Sequence, residues 1–296
     1  MEEERKLNAD ISGSISEFQA VMKEFLLKYK LYRILLRGKG LEFETYRNYA
    51  PDDDAASIDW KASKRANNLL VKQYRDERNL KIMFLIDVGE NMIFGSSKKL
   101  KCEYAAEVIA AFSHLIITSG DKAGFILFSD RVKDFSVPSG GKRNFQRFMD
   151  NLTKAENYGG PSNINKAIDF VLSYLGKNID SVVMVSDFIS FNQESEKKFS
   201  LISSKFETVA LVIRDPLDNT LPEFSREVVI QDPKTGQQLL VNPKLAKSIY
   251  EQYSKEQENK MKRACLQNRI DILELMTNEP FVPSLSQFLK GRTKKK

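Results

Sequence analysis

The chain has 296 residues, of which 42% are hydrophobic and 29% are charged, close to the average of globular proteins. This length is enough for one large domain or two small ones with a substantial core. The formal net charge of +6 is a mild excess, much of it in the C-terminal "KGRTKKK". We expect this short basic tail to be solvated, with weak binding to an acidic partner, a membrane surface or nucleic acid as the alternative.

The distribution of apolar residues and cysteines argues against a membrane-spanning protein and against a protein held together by disulfides or zinc. The longest apolar stretch outside predicted strands, Val108–Thr118, is shorter than the roughly 20 residues that a membrane-spanning helix needs. The N-terminal "MEEERKLNAD" is charged and no apolar segment follows it, which is unlike a signal peptide, so we expect a cytoplasmic protein. Cys102 and Cys265 are far apart and are predicted to be reduced, buried thiols rather than zinc ligands or a disulfide.

The first 80 residues are predicted to form a helix followed by a small β-rich elaboration. Apolar residues recur at helical spacing over Ile15–Arg37, which predicts an amphipathic helix with a serine cap. The following segment is rich in aromatic and charged residues, and its alternating runs "LEFETY" and "LLVKQY" predict short antiparallel strands. Trp60 is expected in the core, with an aromatic anchor at an interface as the alternative. Because about forty residues rarely fold alone, we expect this elaboration to have no independent stability.

From residue 81 to 290 the pattern predicts an α/β domain, and residues 291–296 form a basic tail. Near-continuous apolar strands alternate with helices of 10–20 residues, which is typical of a mostly parallel sheet covered by helices on both faces. The predicted strands are "KIMFLID", "AGFILFS" paired with "RVKDFSV", "DSVVMVSD", "FETVALVI" and "DILEL", with a hairpin around "DPKTG". The predicted helices are 98–119, "KRNFQRFMDNL", "SNINKAIDFVLSYLG", "ESEKKFSLISS", 243–268 and "PSLSQFLKG".

Three loops bring oxygen-bearing side chains to one edge of this sheet. Asp87 and Asp187 each end a buried strand, and ligand sites of open α/β sheets lie beyond the carboxyl ends of the strands. Asn91 follows Asp87 after Gly89, and Ser162 begins a helix after a Gly-Gly turn. Carboxylate, hydroxyl and amide oxygens without nearby histidine or thiolate suit Mg²⁺ rather than zinc.

These loops resemble a known family. "DVGEN", "GGPSNINKAI" and "MVSDF" are similar to the three loops of the metal-ion-dependent adhesion site of von Willebrand factor A domains. The chain is more similar to one branch, the domain of unknown function 58 family, from about Gly38 to Leu289. Its branch-specific residues are Gly38, Gly40, Glu42, Phe43, Arg47, Tyr49, Asp53, Asp54, Ile58, Asp59, Trp60, Arg65, Tyr74, Glu77 and Arg78. The resemblance implies a von Willebrand factor A-like, Rossmann-type sheet.

The family's first loop carries two serines that this chain lacks. Gly89 has no side-chain ligand, and Asn91 offers an amide on a longer arm. With Asp87, Asn91, Ser162 and Asp187 as metal ligands, we therefore expect Mg²⁺ or Mn²⁺ to bind weakly or not at all. The residues expected to contact a partner around this degenerate site are Glu90, Met92, Gly160 and Phe188.

The resemblance implies a non-enzymatic scaffold protein that partners a MoxR-type AAA+ ATPase in chaperone-like assembly of a client protein complex. The ion would bridge the sheet edge to an acidic residue of the partner. A Mg²⁺-dependent phosphoester hydrolase is the first alternative, although no general base or phosphate-binding arginine is evident. A nucleic-acid-binding module is the second, and it depends only on the basic excess.

Overall fold

The computed structural model describes residues 5–28, 43–50, 53, 58–74, 79–175, 179–221, 228–231 and 238–294. The chain divides into two compact units, one of residues 1–36 with 80–296 and a smaller one of residues 37–79. Helix α1 (Ile11–Lys28) therefore belongs to the large unit, which corrects the predicted division at residue 80. The reason is its apolar face, since Phe18 and Met22 are each 1% exposed within the large core.

Helix α1 begins four residues earlier than predicted. The Gly13 amide donates to Asp10 Oδ1 at 2.9 Å, so Asp10 rather than a serine satisfies a free amide of the first turn. Residues 29–37 of the predicted helix lie outside the described residues.

In its described residues, the small unit contains an antiparallel strand pair with a short helix between the two strands. It contains β1 (Phe43–Asn48), α2 (Trp60–Ala66) and β2 (Leu70–Tyr74). The two strands confirm the prediction, but α2 was not predicted. Trp60 is 68% exposed, so its predicted place in the core is wrong. Ser63 is the buried residue of α2. Trp60 is the first residue of the helix, directly after the N-cap residue Asp59.

The large unit is built on a six-stranded sheet. Its strands and the separate hairpin are β3 (Lys81–Asp87), β4 (Lys122–Phe128), β5 (Val132–Ser139), β6 (Ser181–Ser186), β7 (Glu207–Arg214), β8 (Val228–Gln231), β9 (Gln238–Val241) and β10 (Asp271–Met276). The order in the sheet is β10-β7-β6-β3-β4-β5, and all neighbours are parallel except β4 with β5. Strands β8 and β9 pair antiparallel as predicted; residues 232–237 between them are outside the described residues.

Helices cover both faces of this sheet, which confirms the predicted α/β fold class. They are α3 (Lys101–Thr118), α4 (Lys142–Thr153), α5 (Ile164–Phe170), α6 (Gln193–Lys205), α7 (Pro216–Asn219), α8 (Pro243–Gln267) and α9 (Phe281–Lys294), with a π-helical turn at Val171–Leu175 after α5. Alternate residues of β3 explain the two layers, because Phe84 packs with residues of α1, α3, α4 and α9, while Leu85 packs with residues of α5, α6 and α8.

Two smaller predictions concern cysteines and membrane spans. Cys102 and Cys265 are both free and buried, as predicted, and burial raises the pKa of each thiol to about 12. Within the described part of the chain, no helix combines the length and the apolar character needed to cross a bilayer.

Candidate functional site

Asp87 and Asp187 lie at the same edge of the sheet, on neighbouring strands. Asp87 is the last residue of β3, and Asp187 directly follows β6, which pairs with β3 in parallel. Both carboxylates are 1% exposed. The loops after these two strands, together with the residues just before α5, form the edge that we call the carboxyl-edge site.

The Asp87 carboxylate is surrounded by hydrogen-bond donors. Its Oδ1 accepts from the Gly89 amide at 2.9 Å, and its Oδ2 accepts from Asn91 Nδ2 at 3.0 Å, Ser162 Oγ at 2.7 Å and Ser186 Oγ at 2.6 Å. Burial, together with the nearby charge of Asp187, raises the pKa of Asp87 above its ordinary value despite these hydrogen bonds.

Lys101, the first residue of α3, extends into this site. Its ammonium donates to Asp187 Oδ2 at 2.8 Å and to Asp218 Oδ1 and Oδ2 at 3.1 and 3.0 Å. The Lys101 side chain is 1% exposed. Asp218 belongs to α7, in the segment that follows β7. A buried ammonium therefore joins carboxylates from the ends of two adjacent strands.

The charges in this group shift the acidities in different directions. Burial works to raise the pKa of Asp187, but the Lys101 ammonium outweighs it and holds that pKa below the ordinary value. Burial works to lower the pKa of Lys101, but Asp187 and Asp218 outweigh it and raise the pKa. Burial dominates at Asp218 and raises its pKa. Asp187 and Lys101 are thus a charged pair at neutral pH.

Gly89 and Asn91 fit together as one arrangement. A Cβ on Gly89 would lie 2.5 Å from Asn91 Oδ1, so the amide oxygen occupies the space that a side chain at position 89 would take. Asn91 Oδ1 is buried and has no hydrogen-bond partner, while Asn91 Nδ2 donates to Asp87 Oδ2 at 3.0 Å. The two departures from the family loop therefore depend on each other sterically.

The donor set of this site does not fit a magnesium ion. Mg²⁺ requires near-octahedral oxygen ligands at about 2.0–2.1 Å, whereas the Gly89 amide, Asn91 Nδ2 and the Lys101 ammonium, which cannot coordinate a cation, contact the Asp87 and Asp187 carboxylates here. An ammonium already contacts Asp187, and the Asn91 amide oxygen lies 2.5 Å from the place that a Cβ on Gly89 would take. Among the described residues, no three histidine, cysteine, aspartate or glutamate side chains form a group suited to holding a metal ion.

The four expected partner-contact residues have different surroundings. Met92 and Phe188 are 0% and 3% exposed, so their place on a contact surface is corrected: both side chains point into the core. Glu90 and Gly160 bond to each other, through the Glu90 amide to the Gly160 carbonyl at 2.8 Å and the Gly160 amide to Glu90 Oε1 at 3.2 Å. These two are half-buried.

The apolar side chains that do reach the surface here are their sequence neighbours. Ile93, Phe94 and Ile189 are 44%, 41% and 41% exposed. The first two follow the short turn at Glu90–Met92 after β3, and the third lies in the loop after β6. We call Ile93, Phe94 and Ile189 the apolar rim. Phe94 also covers the buried lysine, with the ammonium 5.5 Å from its ring centre.

Sequence reasoning missed Lys101, Ser186 and Asp218. Asp218 had a detectable signal, because "RDPLDN" follows a buried strand in the same way as the predicted site loops. Ser186 directly precedes Asp187 at the end of β6. The alternation of side chains along the strand could have placed it on the face opposite to Asp187. Lys101 had the weakest signal, because Lys98 and Lys99 stand close to it in "SSKKLK".

The profile of the family described as "Protein of unknown function DUF58" matches residues 45–263. An uncharacterized protein of Mycobacterium bovis is 25% identical over 205 residues, which is 68% of this chain and 63% of that protein. The YeaD protein of Bacillus subtilis, also uncharacterized, is 27% identical over 109 residues, 37% of this chain and 25% of that protein. This chain thus spans less than two thirds of the length of either relative.

Two solved structures are similar at low identity. The conserved hypothetical protein BatB from Bacteroides thetaiotaomicron has a TM-score of 0.47 and 11% identity over 73% of this chain and 99% of that one. The SpRpn10 VWA domain has a TM-score of 0.34 and 14% identity over 73% of this chain and 94% of that one.

Proposed function

We propose that this chain, which belongs to the DUF58 family, is a non-enzymatic protein-binding module. Its partner is a MoxR-type AAA+ ATPase, and together they act in chaperone-like assembly of a client protein complex, as the family resemblance implies. The observation that carries this proposal is the apolar rim around a polar centre whose charged groups are already paired.

The paired centre argues against chemistry at this edge. A general base must have an acceptor free to take a proton from its substrate, but Asp87 accepts four hydrogen bonds from this chain. A phosphoester hydrolase would hold Mg²⁺ on Asp87 and Asp187, but Asn91 Nδ2 already contacts Asp87 and the Lys101 ammonium already contacts Asp187. No observation favours the hydrolase or the nucleic-acid-binding alternative.

The apolar rim supports binding to another protein. Isolated exposed apolar residues are normal, but Ile93, Phe94 and Ile189 lie in the loops that follow two neighbouring strands of the sheet. A partner that covers both loops would bury all three, as apolar side chains are buried in the core of an interface. The polar groups beneath the rim are held by hydrogen bonds within the chain, so the loops need little ordering when a partner binds.

The docking geometry differs from the ion-bridged contact expected from the family. The Lys101 ammonium is buried and already contacts two carboxylates, so an acidic residue of the partner cannot reach it. We therefore propose that the ATPase inserts apolar side chains against the rim, and that binding is insensitive to EDTA.

The test measures binding of the full chain to the MoxR-type ATPase of the same organism, with and without EDTA. The variant is Ile93→Ser combined with Ile189→Ser, which removes apolar rim area and leaves Phe94 over Lys101. Loss of two interface side chains is expected to weaken binding about tenfold or more. Both positions are over 40% exposed, so the melting temperature should barely change.

Leu201→Ser is the matched control, because Leu201 is 50% exposed on α6 and should not affect binding. Equal binding by the rim variant and the wild type would show that docking uses another surface. No binding by the wild-type chain to this ATPase would contradict the proposed partnership.

A further inference from the structure

We infer that the Lys101 ammonium is the resident cation of the carboxyl-edge site, in the role that a divalent metal ion would otherwise have. The site then works without metal, and its loops keep one geometry whether or not Mg²⁺ or Mn²⁺ is present. This inference concerns the site itself and does not depend on which protein binds there.

The position of Lys101 is the first argument. Lysine is almost never fully buried unless it is paired, and this side chain is 1% exposed. It stands at the first position of α3, where the helix dipole disfavours a positive charge. Both unfavourable factors are offset by the same contacts, those with Asp187 and Asp218.

The charge balance is the second argument. Asp87, Asp187 and Asp218 are all at most 8% exposed, and buried carboxylates close together repel unless a cation or a proton lies among them. Lys101 supplies that positive charge from a side chain of the same protein, so no translational entropy is lost in binding a cation from solution. A metal ion entering here would have to displace the ammonium from Asp187.

The packing around Asn91 is the third argument. Its Nδ2 donates to Asp87 Oδ2 at 3.0 Å, so Asn91 acts as a donor where a metal-binding loop has an oxygen ligand. Its oxygen fills the space beside Gly89. Gly89, Asn91 and Lys101 therefore supply N–H donors to the Asp87 and Asp187 carboxylates, in place of the oxygen ligands that a cation would need.

The test compares melting temperatures of the full chain in EDTA, Mg²⁺ and Mn²⁺. The wild type is expected to melt at the same temperature in all three. Lys101→Ala removes the ammonium and leaves room for an ion, so it should melt about 10 °C lower in EDTA. Mg²⁺ or Mn²⁺ should restore part of that loss, because Asp187 and Asp218 would then be free to act as ligands.

Two further variants are controls. The first tests the loss of a lysine from an exposed ion pair, and the second tests the loss of side-chain volume at Lys101. Lys198→Ala removes a lysine paired with Asp169, a carboxylate that is 47% exposed, and should show a small loss of about 2 °C or less with no metal response. Lys101→Met combined with Asp187→Asn removes both charges of the buried pair and keeps the volume. This double variant should melt above Lys101→Ala and should not respond to metal.

Three results would overturn the inference. The first is a melting temperature of the wild type that rises with Mg²⁺ or Mn²⁺. The second is Lys101→Ala melting like the wild type in EDTA. The third is Lys101→Ala showing no recovery with either metal. If Lys101→Ala is unfolded in EDTA, folding in Mn²⁺ supports the inference and failure to fold in both buffers contradicts it.

Discussion

Asp187 with Lys101 in the large unit and Asp53 with Arg47 in the small unit are both carboxylate–cation pairs, with closest contacts of 2.8 and 2.5 Å. Their surroundings differ. The side chains of the first pair are each 1% exposed, whereas Arg47 is 44% exposed and Asp53 is 16% exposed. In both, the cation holds the pKa of the carboxyl below its ordinary value.

The difference between the two pairs lies in what happens when one partner is lost. Water can solvate an exposed charge whose partner has been removed, so exposed pairs contribute little. A buried charge without its partner is left in a medium of low polarity, and the cost is large. The shorter contact between Arg47 and Asp53 therefore does not mean that this pair contributes more to the stability of the protein.

The largest expected effect comes from Asp187→Ala. The change leaves the Lys101 ammonium buried with Asp218 alone, and breaking a buried pair in this way costs about 3–5 kcal/mol. Chemical denaturation of the full chain at neutral pH measures it as a lower unfolding midpoint. Asp53→Ala is the control, and it should leave the unfolding midpoint of the large unit unchanged. Equal midpoints for Asp187→Ala and the wild type would show that burial does not separate the two pairs.

The pH dependence of this loss has a definite sign. The folded pKa of Asp187 lies below the ordinary value of 3.8, so its contribution is present above about 3.8 and is lost as the pH falls through the folded value. The difference between Asp187→Ala and the wild type should therefore be constant near neutrality and shrink in more acidic solution.

A smaller effect is expected from Gly89→Ser, which tests how tightly the buried site is packed. Its Cβ would meet Asn91 Oδ1 at 2.5 Å, and overpacking of this kind costs about 1–3 kcal/mol. Adding Asn91→Ser removes the oxygen, so the double variant should be more stable than the sum of the two single changes predicts. Gly140→Ser is the control, because a Cβ there lies 3.7 Å from the nearest atom, the Asp121 carbonyl oxygen. Additive losses would contradict the steric coupling of positions 89 and 91.

The sheet could be predicted from the sequence because its buried strands are near-continuous apolar runs. "KIMFLID" and "DSVVMVSD" are apolar on both faces, and both faces of β3 and β6 are buried in the structure. Helix α5, just before β6, is less regular than the predicted helix "SNINKAIDFVLSYLG". It ends at Phe170, and the chain continues as a π-helical turn. A periodicity of about 3.6 residues does not separate these two forms over so short a segment.

The chemistry of the site was harder to predict than its position. The strand ends placed Asp87 and Asp187 on one edge, because that follows from parallel pairing alone. The cation between carboxylates was missed, because nothing local distinguishes Lys101 from Lys98. Only the packing of α3 against the sheet decides which of these lysines is buried, and that is a tertiary property. Trp60 failed for the same reason, since its exposure follows from the helix that begins there.

The smallest expected effect concerns the exposed pair and is best seen at the atom itself. The hydrogen bonds from Arg47 and the Ala50 amide lower the pKa of Asp53 from 3.8 to about 2. A titration of the side-chain carboxyl by ¹³C NMR should give a midpoint near that value, and Arg47→Gln should move it toward 3.8. Added salt should do the same in the wild type, because water and ions reach Arg47. The folded pKa of Asp187 should not respond to salt, since Lys101 and Asp187 are each 1% exposed. An Asp53 midpoint that ignores both salt and Arg47→Gln would mean that the pair is as shielded as the buried one, and the comparison between the two units would fail.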